Sequence, residues 1–397
     1  MPANERSVDL MGLVRPEVHA LPGYEAVEPV DLLAERLGID PERIAKLDGN
    51  ENPYGPSPRA LEALSSYRDY NIYPDPDQRR LRAALSKHLG VPPEYIVAGS
   101  GSDELIQLLA SVFLRPGDTV IDLVPTFGMY SFEADVAGGQ TVQVKRRQDF
   151  SVDVNAVAEV IDARTRLIFA TSPNNPTGNL LRLDELEGLL DLGLPVVVDE
   201  AYIEFAGEGS FVALIPDRPN LIVMRTFSKW AGLAGLRIGY AAMAPELAAC
   251  LFRIKQPYNV NIAAEVGALA SLEDTEVLME RVRAIVSERE RLFHILQAIP
   301  FVQPIPSQAN FILCNVLEGD ARQIRDRLRE HGVFTRYFDR PPLQQCVRIS
   351  VGLPRHTDQV REALLAVGRS AGLTGGLTRA SRPRRRPHQT DTARSPG

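Results

Sequence analysis

Residues 195–243 read PVVVDEAYIEFAGEGSFVALIPDRPNLIVMRTFSKWAGLAGLRIGYAAM. Three short apolar runs stand out in it: PVVVDE (195–200), LIVMRT (221–226) and LRIGYAAM (236–243). They hardly alternate apolar with polar residues, so they read as strands buried on both faces. Two similar runs lie upstream, TVIDLV (119–124) and RLIFAT (166–171), and helical patterns such as Leu183–Leu192 fall between several of them. The alternation predicts an α/β fold whose large domain holds a mostly parallel sheet covered by helices on both faces. Parallel sheets bind ligands at the carboxyl ends of their strands. Asp199, Glu200 and Thr226 close these runs and are the first candidates for a site.

Working outward, residues 273–299 form one long amphipathic helix pattern, with Val277, Leu278, Val282, Ile285, Leu292 and Leu296 as its apolar positions. A shorter α/β stretch follows, with NFILCNV (310–316), a helix at Ala321–His331, VRISVG (347–352) and a helix at Thr357–Val367. The expected organisation is an N-terminal arm (1–45) packing on the small domain or on a partner, a large domain (46–260), a smaller C-terminal α/β domain (261–370) and a basic tail (371–397). The tail holds six arginines against one acid, Asp391, and few large apolar residues, so it is expected to be disordered.

The 397-residue chain is 44% hydrophobic and 24% charged, as soluble globular proteins are. No apolar run is long enough to span a membrane, and the N-terminus lacks the pattern of a secretory signal. Three scattered cysteines, Cys250, Cys314 and Cys346, make neither a disulfide framework nor a zinc site, and the six histidines show no metal spacing. The cytoplasm is the expected compartment. The net charge is −7, and with the basic tail set aside the body is more acidic still, which argues against a nucleic-acid surface.

The strongest chemical signal is TFSKWAGLAGLR (226–237), a lysine among small hydroxyl residues directly after an apolar strand. Lysine forms Schiff bases with carbonyls when its surroundings lower its pKa, and the hydroxyls and Arg237 suit a phosphate. SPNNPTG (172–178) places a side-chain amide after another strand. Asp199 sits on a buried apolar strand, where an acid is costly unless a cation such as a pyridinium nitrogen pairs with it. GSGSDE (99–104) puts small residues at a helix start, where free N–H groups and the helix dipole attract phosphate. Alone, GSGSDE also reads as an ordinary N-cap, SPNNPTG as a turn, and Ser228-Lys229 as a loop at a strand end.

Taken in order, GSGSDE, PTFGMYS, SPNNPTG, DEAYIEF and RTFSKWAGLAGLRIGY resemble the aspartate-aminotransferase fold family of pyridoxal-phosphate enzymes. With LPGY, NENPYGPS, NIYPDP and CVRISVG, the resemblance runs from about Leu21 to Val367 and is nearest to the histidinol-phosphate aminotransferases. It implies pyridoxal 5′-phosphate as cofactor and Lys229 as its Schiff-base residue and proton carrier. It gives Asp199 the ring nitrogen, Asn175 and Tyr202 the ring's 3-oxygen, and Phe127 the ring face. Ser102, Asp103, Thr226, Ser228 and Arg237 are implied for the cofactor phosphate. Tyr73 would reach the phosphate in a neighbouring subunit, which implies a homodimer with shared sites. For substrate the resemblance points to Tyr24, Asn52, Arg336 and Arg348.

The reaction so implied is transamination between L-histidinol phosphate and 2-oxoglutarate in histidine biosynthesis. Aromatic amino-acid aminotransferases and threonine-phosphate decarboxylases share many of these motifs and stay open as alternatives. Trp230 departs from the family, where a smaller residue is expected behind the lysine.

Overall fold

The computed structural model describes residues 9–15, 18–19, 21, 27–207 and 209–373. Tyr24 and residues 374–397 of the basic tail lie outside them. The strands are β1 (Ala45–Leu47), β2 (Ile96–Gly99), β3 (Thr119–Val124), β4 (Gln140–Lys145), β5 (Thr165–Thr171), β6 (Val196–Asp199), β7 (Leu221–Thr226), β8 (Gly239–Ala242), β9 (Val302–Pro304), β10 (Phe311–Val316), β11 (Val333–Tyr337) and β12 (Cys346–Ser350).

Seven of them form the larger sheet in the order β2-β8-β7-β6-β5-β3-β4. The pairs from β7 to β4 are parallel, and β8 runs against both its neighbours. The strand pattern divides cleanly between two faces, because successive residues point to opposite sides. Val196 and Val198 face a core shared with Leu81 and Leu85 of the helix Arg79–Leu89 and Leu186 of the helix Leu183–Leu190. Val197 faces the opposite core, with Leu105, Leu109 and Tyr130 from the helices Gly101–Phe113 and Met129–Val136. This is the sheet covered on both faces that unalternating strands require.

The run LRIGYAAM contributes less strand than its composition suggests. Ala234–Leu236 is a 3₁₀ turn, Arg237 adopts a left-handed backbone (φ 54°), and only Gly239–Ala242 pairs. The long helix pattern also begins later, at Thr275, and ends at Gln297. A separate helix, Ile262–Glu273, precedes it and packs on the helices Pro58–Ser66 and Arg79–Leu89 beside the larger sheet.

The smaller sheet has the order β1-β11-β12-β10-β9. Its β1 comes from the N-terminal part of the chain and pairs in parallel with β11, Ala45 opposite Val333. The helix Val30–Leu37 buries Leu33 and Ala34 against Ile44, just before β1, and Phe334 of β11. Leu278, Val282, Ile285 and Leu292 of the helix Thr275–Gln297 join Phe311 and Ile312 of β10 in the same core as β6 and β7, so the two sheets share one apolar interior. Arg289 on that helix donates to the carbonyls of Phe205 (3.2 Å) and Ala309 (3.1 Å), tying the two regions together. No helix among the described residues is long and apolar enough to cross a membrane.

Candidate active site

A cavity of about 650 Å³ lies at the carboxyl ends of the parallel strands, where β11 and β12 of the smaller sheet close over them. Lys229, Asp199, Tyr202, Asn175, Ser102, Asp103, Phe127, Thr226, Ser228, Arg237, Arg336 and Arg348 all line it. These residues are spread over 247 positions of sequence, and chain topology alone brings them together.

Asp199 is the last residue of β6 and is buried. Its Oδ2 accepts a hydrogen bond from the Tyr130 hydroxyl (2.7 Å) and its Oδ1 accepts from the Ala201 N–H (3.0 Å). Tyr130 is fully buried and also meets the Thr171 hydroxyl at 3.0 Å. Both donors are neutral, and no lysine or arginine pairs with Asp199 among the described residues. Burial therefore dominates and raises the carboxyl to about 6, while Tyr130 and the Ala201 N–H pull it down. No side-chain cation among the described residues stands in for the pyridinium nitrogen expected from sequence, and the two hydrogen bonds offset the burial only in part. Tyr130 sits in the motif PTFGMYS, but no spacing marks it out, because Phe127 precedes the helix Met129–Val136 that carries Tyr130.

Lys229 follows β7 and touches the cavity while protein encloses it. Its Nζ donates to the Gly49 carbonyl (3.1 Å) and lies 6.0 Å from the Tyr202 ring centroid. Burial first, and the Arg348 charge second, lower its pKa to about 8. An amine so placed is a competent nucleophile and proton carrier near neutral pH.

The end of β2 leads straight into the helix Gly101–Phe113, whose first turn lines the cavity with Ser102 and Asp103. Gly101 has φ +81°, and a Cβ there would collide with the Arg237 guanidinium. A Cβ on Gly239 would come within 2.6 Å of the Ser102 amide nitrogen. The glycines keep this cradle open to an anion, as helix N-termini with close backbone approach do. Around it the Thr226 hydroxyl donates to Ser228 Oγ (3.0 Å), and Arg237 pairs with Asp103 at 2.7 Å.

Across the cavity, Arg348 on β12 donates to Asn175 Oδ1 (2.6 Å) and to the Asp48 carbonyl (2.6 Å). The first bond fixes the Asn175 amide with its nitrogen left to donate. Arg336 on β11 stands directly opposite Arg348 in the antiparallel register.

Asn52 does not reach the cavity: its Nδ2 donates to the Trp230 carbonyl (2.9 Å), and Oδ1 accepts from the Tyr54 N–H (2.9 Å). The residues of that segment that line the cavity are Glu51, which is exposed, and Asn50. Asn50 is buried, adopts φ 54°, donates to the Tyr202 hydroxyl (3.0 Å) and exchanges hydrogen bonds with Ser350. Tyr73 also lies away from the cavity. It is 77% exposed and stacks on Tyr258 with ring centroids 4.4 Å apart. Trp230 is fully buried behind the lysine, parallel to His88 at 5.9 Å, so the larger ring fills core rather than site. No cluster of His, Cys, Asp or Glu among the described residues has the form of a metal site.

Comparison with known proteins agrees with this geometry. The profile of the aminotransferase class I and II family matches residues 42–367. The histidinol-phosphate aminotransferase of Roseiflexus castenholzii is 53% identical over 367 residues, 90% of this chain and 99% of the relative. The chloroplastic enzyme of Nicotiana plumbaginifolia is 47% identical over 88% of this chain and 86% of its own length. The structure of histidinol-phosphate aminotransferase from Sinorhizobium meliloti in complex with pyridoxal-5′-phosphate superposes with a TM-score of 0.82 at 29% identity, covering 90% of this chain and 98% of that one. With a site built from the same ordered motifs, the chain belongs to the class I and II aminotransferases and, within them, to the histidinol-phosphate aminotransferase family.

Proposed function

We propose that the chain catalyses transamination between L-histidinol phosphate and 2-oxoglutarate, giving imidazole acetol phosphate and glutamate, with pyridoxal 5′-phosphate as cofactor. The observation that carries the reading is the pairing of Asp199, a buried carboxylate with neutral donors only, with the depressed lysine Lys229 on one cavity wall. The residues fit the cofactor. Asp199 suits a protonated ring nitrogen, and the cradle of Ser102, Asp103, Thr226, Ser228 and Arg237 suits its phosphate. Phe127 offers a ring face, and Asn175 and Tyr202 offer donors for the 3-oxygen.

Bound, pyridoxal phosphate supplies an electron sink for the electrons left at the substrate's α-carbon. Asp199 would hold the proton on the ring nitrogen. Asn50 donates to the Tyr202 oxygen and so turns the Tyr202 hydrogen toward the ligand. Lys229, titrating near 8, would take the proton from the substrate's α-carbon and deliver it to the cofactor's C4′.

Substrate selection rests on Arg336 and Arg348. Like charges directly opposite on paired strands destabilise a sheet, so this pair favours an anion between or beside them. The phosphate of histidinol phosphate and the carboxylates of glutamate both answer that need. We further propose a homodimer: Tyr70, Ile72, Tyr73 and Tyr258 are exposed together, and a second subunit would cover them while Tyr73 reaches its site. The decisive experiment compares kcat/KM for histidinol phosphate, phenylalanine and threonine phosphate. Histidinol phosphate is expected to lead. Arg336→Ala should cost it roughly ten- to a hundred-fold, from the ~1.5–3 kcal/mol of a charge-assisted bond, and cost phenylalanine far less. Phenylalanine leading in the unmodified enzyme would overturn the substrate assignment.

A further inference from the structure

Beside the active-site cavity lies a second, smaller one of about 220 Å³, bounded by the helices Val30–Leu37 and Ala321–Glu330 and by β11. The two cavities share Val27, Asp48, Arg336 and Tyr337 as a common wall. The smaller is lined by four arginines, Arg36, Arg325, Arg329 and Arg336, against two acidic residues, Glu28 and Asp48. Both carboxylates are already engaged, Glu28 with Arg36 (2.9 Å) and Asp48 with Lys46 (3.2 Å), and Arg325 pairs with Asp326 outside the cavity (2.6 Å).

Arg329 forms no ion pair among the described residues, although the Asp326 and Asp48 charges favour it from a distance, and its Nε is buried without a hydrogen bond. It stands one helical turn from Arg325, where like charges repel. Burial, then the Arg325 charge, weigh against its protonated form. The Thr335 hydroxyl lies in the same wall, 1% exposed and also without a hydrogen-bond partner. A buried hydroxyl and a buried guanidinium nitrogen left unsatisfied are each costly, and an oxyanion would satisfy both at once.

We propose that this cavity is a second oxyanion site, taking a tetrahedral phosphate-class anion on Arg329 and Thr335, with Arg336 as the wall shared with the active site. Nothing in the reaction requires a ligand there, and neither Arg329 nor Thr335 lines the catalytic cavity. An anion in it draws on Arg336 and weakens the hold of that arginine on substrate phosphate. This last consequence rests on the proposed function, whereas the site itself does not.

The test is a titration of the holoenzyme with inorganic phosphate at constant ionic strength, read as the thermal midpoint, for the unmodified chain, Arg329→Met and Thr335→Val. A saturable rise is expected, with the half-saturating concentration raised about ten-fold in each variant and kcat retained. Thr335→Val keeps the shape of the side chain and stands as the independent variant where Arg329→Met does not fold. Glycerol 3-phosphate in a parallel titration separates phosphate esters from free phosphate as the occupant: equal half-saturation supports an ester, and a clear preference for phosphate supports the free ion. Half-saturation unchanged in both variants overturns the site. Inhibition by phosphate should raise the KM for histidinol phosphate more in the unmodified enzyme than in Arg329→Met, and equal inhibition overturns the coupling through Arg336. If histidinol phosphate is not turned over while the variants still lose phosphate binding, the proposed reaction fails and the site stands.

Discussion

Replacing Asp199 by asparagine separates what this carboxylate does for catalysis from what it costs the fold. Burial raises the carboxyl from 3.8 to about 6. One pKa unit corresponds to about 1.36 kcal/mol, so the shift amounts to roughly 3 kcal/mol. For a carboxyl whose folded pKa is raised, the stabilising contribution is complete below the unfolded value, 3.8, and is lost as pH rises through about 6. At pH 8 the protein without cofactor therefore carries an ionised, destabilising Asp199. Asparagine keeps the shape and does not titrate. In urea unfolding of cofactor-stripped protein, the stability of Asp199→Asn relative to the parent should rise by about 2 kcal/mol between pH 4.5 and pH 8, since about 1 kcal/mol is already lost at the lower pH. Glu200 and Asp122, both raised to about 7, titrate alike in both proteins and cancel. The holoenzyme should meanwhile lose far more than ten-fold in rate. A stability difference equal at the two pH values would refute the reasoning.

Tyr130→Phe removes the 2.7 Å hydrogen bond that holds Asp199 ionised, so the acid limb of the kcat/KM profile should move up by about one pH unit, and a profile superposable on the parent's would contradict the role. Lys229→Ala should abolish turnover and the borohydride-fixed absorbance together, and near-native activity would end the assignment. Mixing Lys229→Ala with Tyr73→Phe subunits should restore activity in hybrid dimers that hold one site with both residues intact. A fully active monomer in sedimentation would exclude shared sites.

The chemistry at the strand ends was readable because position alone marks it. Asp199 and Thr226 terminate unalternating apolar runs, and Lys229 follows one of them at once. What the chain did not announce was set by partners distant in sequence. Asn50 and Asn52 lie in one motif, and only the φ of Asn50 and its bonds to Tyr202 and Ser350 decide which faces the cavity. The opposition of Arg336 and Arg348 depends on the β11–β12 register, and the neutral support of Asp199 depends on a helix laid across the far face of the sheet. LRIGYAAM misled because Arg237 needs a left-handed turn to reach Asp103, which shortens the strand from its N-terminal side.

The parallel pairing of β1 with β11 also constrains the order in which the molecule can be built. Ala45 emerges from the ribosome early, yet its neighbour Val333 is almost 290 residues behind it. At roughly 5–20 residues per second that interval lasts on the order of 15–60 s, and loop closure over such a span is slow in its own right. The larger sheet, complete by Ala242, can collapse first, while the leading segment waits without its edge partner. Residues 48–51, which follow β1 into the cavity, are then among the last parts of the site to settle. A nascent chain stalled before residue 333 would hold a finished lysine-bearing sheet with an open cavity, and would be unable to close the arginine wall over it.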